Sequence, residues 1–101
     1  MTWRVRFTEE ADEDLRRRYG FLVQEDLERA EEAVEAIEQA LTLLERFPFS
    51  CRKAVQGAHG PFLREMIIPF GSAGYVALFE IDGRDTVTVL AVRHQRESDY
   101  Y

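Results

Sequence analysis

Near the start of the chain, the hydrophobic residues first recur every second position, as in a strand, and then recur with the period of a helix. Apolar and basic residues alternate over residues 3–7, which is the pattern of a strand with one buried face. Thr8 then precedes several acidic residues. A hydroxyl cap followed by acids is typical of a helix start, because the free N–H groups there favour negative charge. Helical spacing continues in the apolar residues Ala11, Leu15, Tyr19 and Leu22. The pattern predicts a strand followed by a helix with a narrow apolar stripe.

A second and longer helix is predicted from about residue 25 to residue 47. Its apolar residues recur every three or four positions, and glutamates occupy the other faces. The apolar set is Leu27, Ala30, Val34, Ile37, Leu41 and Leu44. Pro48 is expected to end this helix. Gly20 precedes the junction of the two helices but falls inside the first, so the pattern leaves that boundary open.

The second half of the chain reads as a loop followed by three strands. Residues 48–61 contain several breakers and are expected to form a loop. Strands are predicted over residues 62–68, 75–81 and 86 to about 95, with a glycine-containing turn at 69–74 and an Asp82-Gly83 hairpin signal. Arg64, Met66 and Ile68 are expected on one face of the first of these strands. In the last one, Val87, Val89 and Ala91 are expected on one face, and Leu90, Val92 and His94 on the other.

Taken together, these elements give the order β-α-α-β-β-β. We expect an α+β fold in which an antiparallel two-helix hairpin packs on a largely antiparallel four-stranded sheet. The 101 residues suffice for one domain, which we assign to 1–101.

Charge divides the chain into two unlike halves. Residues 1–50 hold 7 Arg against 13 Asp and Glu, whereas residues 51–101 hold 6 cationic and 6 acidic residues, so all of the net charge of −6 lies in the first half. This charge balance disfavours a protein that binds nucleic acid over its whole surface, but it is compatible with a local basic site. The single cysteine, Cys51, excludes an internal disulfide, and no cluster of Cys and His has zinc spacing. We therefore expect a cytoplasmic protein without a signal peptide, membrane span, metal or cofactor.

Polar side chains with useful chemistry collect near the last strands. Arginine can hold a phosphate or carboxylate through two hydrogen bonds, histidine can move protons near neutral pH, and tyrosine can stack on a base. The candidate binding residues are Arg64, Tyr75, Arg93, His94, Arg96, Tyr100 and Tyr101.

Each candidate also has a purely structural explanation. Arg64 could pair across the sheet with Glu65 or Glu80, and His94 could be satisfied by a backbone carbonyl at the end of its strand. Tyr75 stands where a core residue is expected. The two terminal tyrosines could belong to a frayed tail.

Several strings, in this order and spacing, resemble the RelE/ParE superfamily of type II toxin–antitoxin toxins over nearly the whole chain. They are RVRFTEEA at 4–11 followed by Asp14 and Leu15, LERFP at 44–48, FLRE at 62–65, GYVALFEI at 74–81 and VLAVRHQR at 89–96. The resemblance implies a small bacterial toxin neutralised by a cognate antitoxin, whose disordered segment folds on binding. RelE-like members cleave mRNA in the ribosomal A site, whereas ParE-like members block DNA gyrase without hydrolytic chemistry.

Departures from the RelE pattern favour the ParE-like branch. RelE-like enzymes tend to carry a basic residue before the second-hairpin glycine turn, where this chain has Ile68, Pro69 and Phe70, and they carry several lysines, where this chain has only Lys53. The resemblance thus implies a ParE-like, plasmid-stabilisation type of toxin that inhibits DNA gyrase. It would form a hetero-oligomer with its antitoxin and would not bind DNA directly. The residues from Arg93 to the C-terminus, together with Arg64, are the expected toxic surface.

Two alternatives remain open from the sequence. One is a ribosome-dependent, metal-independent mRNA endonuclease. Its catalytic set would be His94 as base, with Arg64, Arg93 or Arg96 as cations for the phosphate and Tyr101 as the match to the family's late tyrosine. The other is a non-toxic binding module with the toxin fold. In each case we expect the antitoxin to cover the apolar parts of the helices and the sheet edge, with its acids meeting Arg64, Arg93 and Arg96.

Overall fold

The computed structural model describes residues 2–54, 62–70 and 74–94. Two helices and five strands are formed along these ranges. They are β1 (Arg4–Phe7), α1 (Glu9–Glu25), α2 (Leu27–Arg46), β2 (Arg52–Lys53), β3 (Leu63–Ile68), β4 (Tyr75–Asp82) and β5 (Thr86–His94), with a 3-10 turn at Pro48–Ser50 between α2 and β2. The predicted α+β class, with two helices against a sheet, is confirmed.

Local capping explains where the helices begin and end. The Thr8 hydroxyl accepts a hydrogen bond from the N–H of Ala11 at 3.1 Å, as predicted for the start of α1. Asp26 serves both helices: its N–H donates to the Leu22 carbonyl at 2.7 Å, and its carboxylate accepts from the Glu28 N–H at 3.0 Å. The helix boundary that the sequence left open is therefore Asp26, and Gly20 lies within α1.

The sheet has the strand order β1-β5-β4-β3-β2. β1 runs parallel to β5, and the other neighbours are antiparallel. The expectation of four strands was wrong, because Arg52 and Lys53 pair with Glu65 and Arg64 to make a fifth. This strand is two residues long and both of its side chains are exposed. It therefore has no alternating pattern from which it could be predicted.

The core lies between the helices and one face of the sheet. Its buried members include Ala11 from α1, Ala33 and Leu44 from α2, and Met66, Ile68, Phe79, Val87, Val89 and Val92 from the sheet. The predicted stripe of α2 was partly wrong, because Leu27 is 57% exposed and Val34 is 39% exposed. The inward face instead uses small residues such as Ala33 and Ala40, which bring the helix close to its neighbours.

A β-bulge changes the facing of residues along β5. Leu78 pairs with Ala91 while Phe79 pairs with Val89, so Leu90 is an extra residue in the ladder. Val92 therefore joins Val87 and Val89 in the core, and the predicted grouping of Val92 with Leu90 was wrong. The carbonyl of Leu90 accepts a hydrogen bond from the Thr8 hydroxyl at 3.2 Å, which ties the bulge to the start of α1.

None of the helices in the described ranges is both long and apolar enough to cross a membrane.

Candidate functional site

A buried carboxylate joins α1 to the end of β5. Asp14 is only 4% exposed. One of its oxygens accepts from the Val92 N–H at 3.0 Å and from the Arg93 guanidinium. The other accepts from Arg17 at 2.8 Å. Arg93, a candidate binding residue from the sequence, is thus held by an internal ion pair with 24% of its side chain exposed.

The electrostatics of this cluster favour the ionised carboxylate. Burial raises the pKa of Asp14, but the hydrogen bond from Val92 and the two arginine partners outweigh it. The pKa therefore lies below its ordinary value of 3.8. Sequence reasoning missed the role of Asp14, because an acid near a helix N-terminus already has an explanation in the helix dipole. The available signal was its position three residues after the buried Ala11, which places it on the inward face.

Next to this carboxylate, an aromatic cluster surrounds Tyr75. The Tyr75 ring stacks on Phe70 with centroids 5.7 Å apart, and it meets the His94 ring edge-to-face at 5.9 Å. The guanidinium of Arg29 in α2 lies 5.3 Å above the Phe70 ring. Burial raises the pKa of Tyr75 above its ordinary 10.0, against the charges of Arg18 and Arg29. Its phenol therefore stays protonated at neutral pH.

An apolar groove opens between the two helices beside Tyr75. It encloses about 280 Å³, and although charged residues take part in its lining, the surface that faces the opening is almost wholly apolar. The lining residues are Leu15, Arg16, Arg18, Tyr19, Leu22, Ala33, Val34, Ile37, Glu38 and Tyr75. The groove is an opening that an apolar side chain or a helix face can enter from solvent.

Arg64 belongs to a different part of the sheet. Its guanidinium donates to the carbonyls of Cys51 at 2.7 Å and Phe49 at 3.2 Å, and it lies 5.2 Å above the Phe49 ring. Its strand neighbour Glu65 accepts from Arg52 at 3.1 Å. Arg64 pairs with Phe79 while Ile68 pairs with Tyr75. The four-residue offset separates Arg64 from the Tyr75–His94 end by ~13 Å along the strand.

Of the seven candidate residues, the structure therefore brings together Tyr75, Arg93 and His94 and leaves Arg64 apart. Arg96, Tyr100 and Tyr101 lie outside the described residues, as does the end of the strand predicted to continue to about residue 95. Burial raises the pKa of the Cys51 thiol, which makes it a poor nucleophile at neutral pH. Across 2–54, 62–70 and 74–94, no three Cys, His, Asp or Glu side chains lie close enough to hold a metal ion.

Comparisons with known proteins place this fold and this sequence in one class, the toxins of type II toxin–antitoxin systems. The sequence profile of the family described as the ParE toxin of the type II system parDE matches residues 5–99. Since the match spans almost the whole sequence, the chain belongs to the ParE toxin family. This confirms the resemblance to the RelE/ParE superfamily and the ParE-like branch within it.

A solved structure supports the fold independently. The chain is similar to a structure of the chromosomal ParDE TA system from P. aeruginosa, with a TM-score of 0.65 and 19% sequence identity, covering 91% of this chain and 95% of that chain. At this identity the similarity concerns the fold. No curated protein sequence gives a significant match.

Proposed function

We propose that this ParE-family toxin acts by binding DNA gyrase and blocking it, without catalysing a reaction of its own, and that a cognate antitoxin neutralises it. The observation that carries this proposal is the engagement of the side chains at the end of β5. Arg93 is bound to the buried Asp14, and the His94 ring packs against Tyr75. Both side chains therefore make structural contacts, whereas a nuclease would need reactive groups at this position.

The spacing of the candidate groups argues in the same direction. In-line attack by a ribose 2′-OH needs a base near the nucleophile and cations around the developing phosphate charge, all within hydrogen-bond reach of one substrate. By register, Arg64 is offset from His94 by ~13 Å along the strand, so the two side chains would have to reach toward each other to contact one phosphate. Its guanidinium is also bound to the carbonyls of Cys51 and Phe49. An inhibitor that works by surface contact has no such requirement.

For the antitoxin, the groove between α1 and α2 is the best-supported docking place. Its apolar lining suits the apolar face of an amphipathic helix. Arg16, with a side chain 78% exposed, stands at the groove. The groove lining includes two arginines, Arg16 and Arg18, and one glutamate, Glu38, so an acidic antitoxin segment would meet more arginine than glutamate there. This position agrees with the expectation that the antitoxin covers the apolar parts of the helices, and it yields a hetero-oligomer.

The choice between gyrase and mRNA is tested with the purified toxin in two reactions. We expect inhibition of gyrase supercoiling at micromolar toxin and intact mRNA on translating ribosomes. Codon-positioned cuts that disappear in His94→Ala, with gyrase unaffected, would establish the nuclease instead. If both activities are absent and overexpression without antitoxin leaves growth unchanged, the chain is a non-toxic binding module.

The docking groove is tested by placing a charge in it. Val34→Glu introduces a carboxylate into the groove at a side chain that is already 39% exposed, so the fold tolerates it. We expect the affinity for the antitoxin to fall at least about tenfold, because a charge must be desolvated against apolar surface. Val23→Glu is the matched control, since Val23 is also 39% exposed but does not line the groove. Equal losses in the two variants, or none in Val34→Glu, would contradict this placement.

A further inference from the structure

β5 loses its β1 neighbour before it ends. The register of the parallel pair runs from Arg4 opposite Thr86 to Phe7 opposite Val89. The chain then turns into α1, with the Thr8 N–H donating to the Val89 carbonyl at 3.0 Å. Beyond the bulge at Leu90, this edge of β5 therefore faces a helix in place of a strand.

At this edge, Asp14 supplies the hydrogen-bond acceptor that a neighbouring strand would otherwise provide. Val92 is paired with Ala77 of β4 on one side, and on the other its N–H donates to Asp14 at 3.0 Å. Asp14 also binds Arg93, the next residue along β5. A carboxylate offers several acceptor sites, so one buried side chain holds the backbone and a side chain of consecutive residues.

This arrangement holds the last described residues of β5 from two sides. His94 follows Arg93 directly and packs edge-to-face on Tyr75. Both partners of β5 near its end, Asp14 and Tyr75, are buried, at 4% and 3% exposure. The last two residues of the strand are therefore supported from the interior of the protein.

We propose that Asp14 is a positioning residue of the toxin: it holds the end of β5, with Arg93 and His94, in the orientation that target binding requires, and does not itself touch the target. The proposal rests on the proposed function in so far as that function locates the toxic surface at this end of the sheet. On this account Arg93 acts through its pairing with Asp14.

The variant Asp14→Asn tests this role, because it keeps the size of the side chain and removes its charge. Asp12→Asn is the matched control: it makes the same change on the same helix, at a side chain that is 49% exposed and pairs with Arg16 on the surface. The first readout is independent of any target. Hydrogen exchange of the Val92 amide, followed by NMR, should accelerate at least about tenfold in Asp14→Asn and stay unchanged in Asp12→Asn. Unchanged exchange in Asp14→Asn would overturn the proposal.

The second readout is the toxin concentration that half-inhibits gyrase. We expect this concentration to rise at least about tenfold in Asp14→Asn and to stay unchanged in Asp12→Asn. The double variant Asp14→Asn with Arg93→Gln should be no weaker than Asp14→Asn alone, because the two residues act as one unit. Wild-type inhibition by Asp14→Asn, or a further multiplicative loss in the double variant, would overturn the proposal.

The two readouts separate failure of this inference from failure of the proposed function. If the wild-type toxin leaves gyrase active, the proposed target is wrong, and the same variants are compared for cleavage of translated mRNA while the exchange result stands. If Asp14→Asn fails to fold, Asp14→Glu replaces it, since this variant keeps the charge but displaces the carboxylate by one methylene. The same losses are expected, and wild-type values in both readouts would overturn the proposal.

Discussion

At the scale of single residues, two arginines of the sheet are held by internal contacts. Arg93 balances a buried carboxylate, and Arg64 binds backbone carbonyls beside the 3-10 turn. Buried charges in proteins are ordinarily paired, and removing one partner leaves the other uncompensated. The stability of this toxin should therefore depend on Asp14 more than on any of its surface carboxylates.

Asp14→Asn should lower the free energy of unfolding by about 2–3 kcal/mol at neutral pH, because charged hydrogen bonds at a buried site are lost. The pKa of Asp14 is below 3.8 in the folded protein. Its contribution is therefore complete above the pKa of the unfolded chain and is lost as the pH falls through the folded pKa. Urea unfolding of both proteins from pH 7 to pH 2 checks this. The difference between them should be constant down to about pH 4 and shrink below it. A difference that grows on acidification would contradict the assignment.

Gly74 is a second position where one residue type is required. Its φ is +98°, and a Cβ built there would lie 2.4 Å from the carbonyl oxygen of Ile68. Gly74→Ala should therefore destabilise the fold by more than about 3 kcal/mol, through backbone strain and a clash with a fixed backbone atom. Gly83→Ala is the control, since Gly83 also has a positive φ of +61° but open space around it. Thermal unfolding should show a loss of only about 1 kcal/mol there, and equal losses would contradict the role of the clash.

At the scale of elements, the sequence predicted the features that depend only on residues close together in the chain. Thr8 caps α1 as expected, and the hairpin signal at Asp82 and Gly83 joins β4 to β5. The missed features depend on partners distant in sequence. β2 exists because β3 offers it an edge, and the bulge at Leu90 meets Thr8 from the opposite end of the chain. The same reason explains the site: the candidates near β5 could be named from sequence, but the pairing of Asp14 with Val92 spans 78 positions.

Asp26 is the element-scale position with the clearest prediction. It ends α1 and begins α2, and its carboxylate receives the N–H of Glu28. Asp26→Ala should cost about 1 kcal/mol, because the first N–H groups of α2 lose their acceptor. Asp26→Asn keeps a capping oxygen and should stay within about 0.5 kcal/mol of wild type. Urea denaturation of the three proteins measures this, and equal stability of Asp26→Ala and wild type would show that the cap is dispensable.

At the scale of the whole molecule, the uneven charge and the apolar groove suit the proposed function, in which the toxin works through contact surfaces. The acidic excess lies in the first half of the chain, which includes both helices, yet the groove between them is mostly apolar, with Arg16, Arg18 and Glu38 also in its lining. Such a groove suits a helix-forming partner. The end of β5 adjoins this groove, because Tyr75 lines the groove and contacts the His94 ring. We therefore propose that an antitoxin bound in the groove lies next to the toxic surface of the proposed function.

The most direct test of this account is a titration of purified gyrase with the toxin, followed as the yield of supercoiled plasmid at several incubation times. A contact inhibitor acts in proportion to the number of molecules bound. We therefore predict that supercoiling falls with the ratio of toxin to gyrase, reaches a plateau, and does not deepen with time at substoichiometric toxin. Full gyrase activity across the titration, or progressive inactivation by a small amount of toxin, would contradict the account.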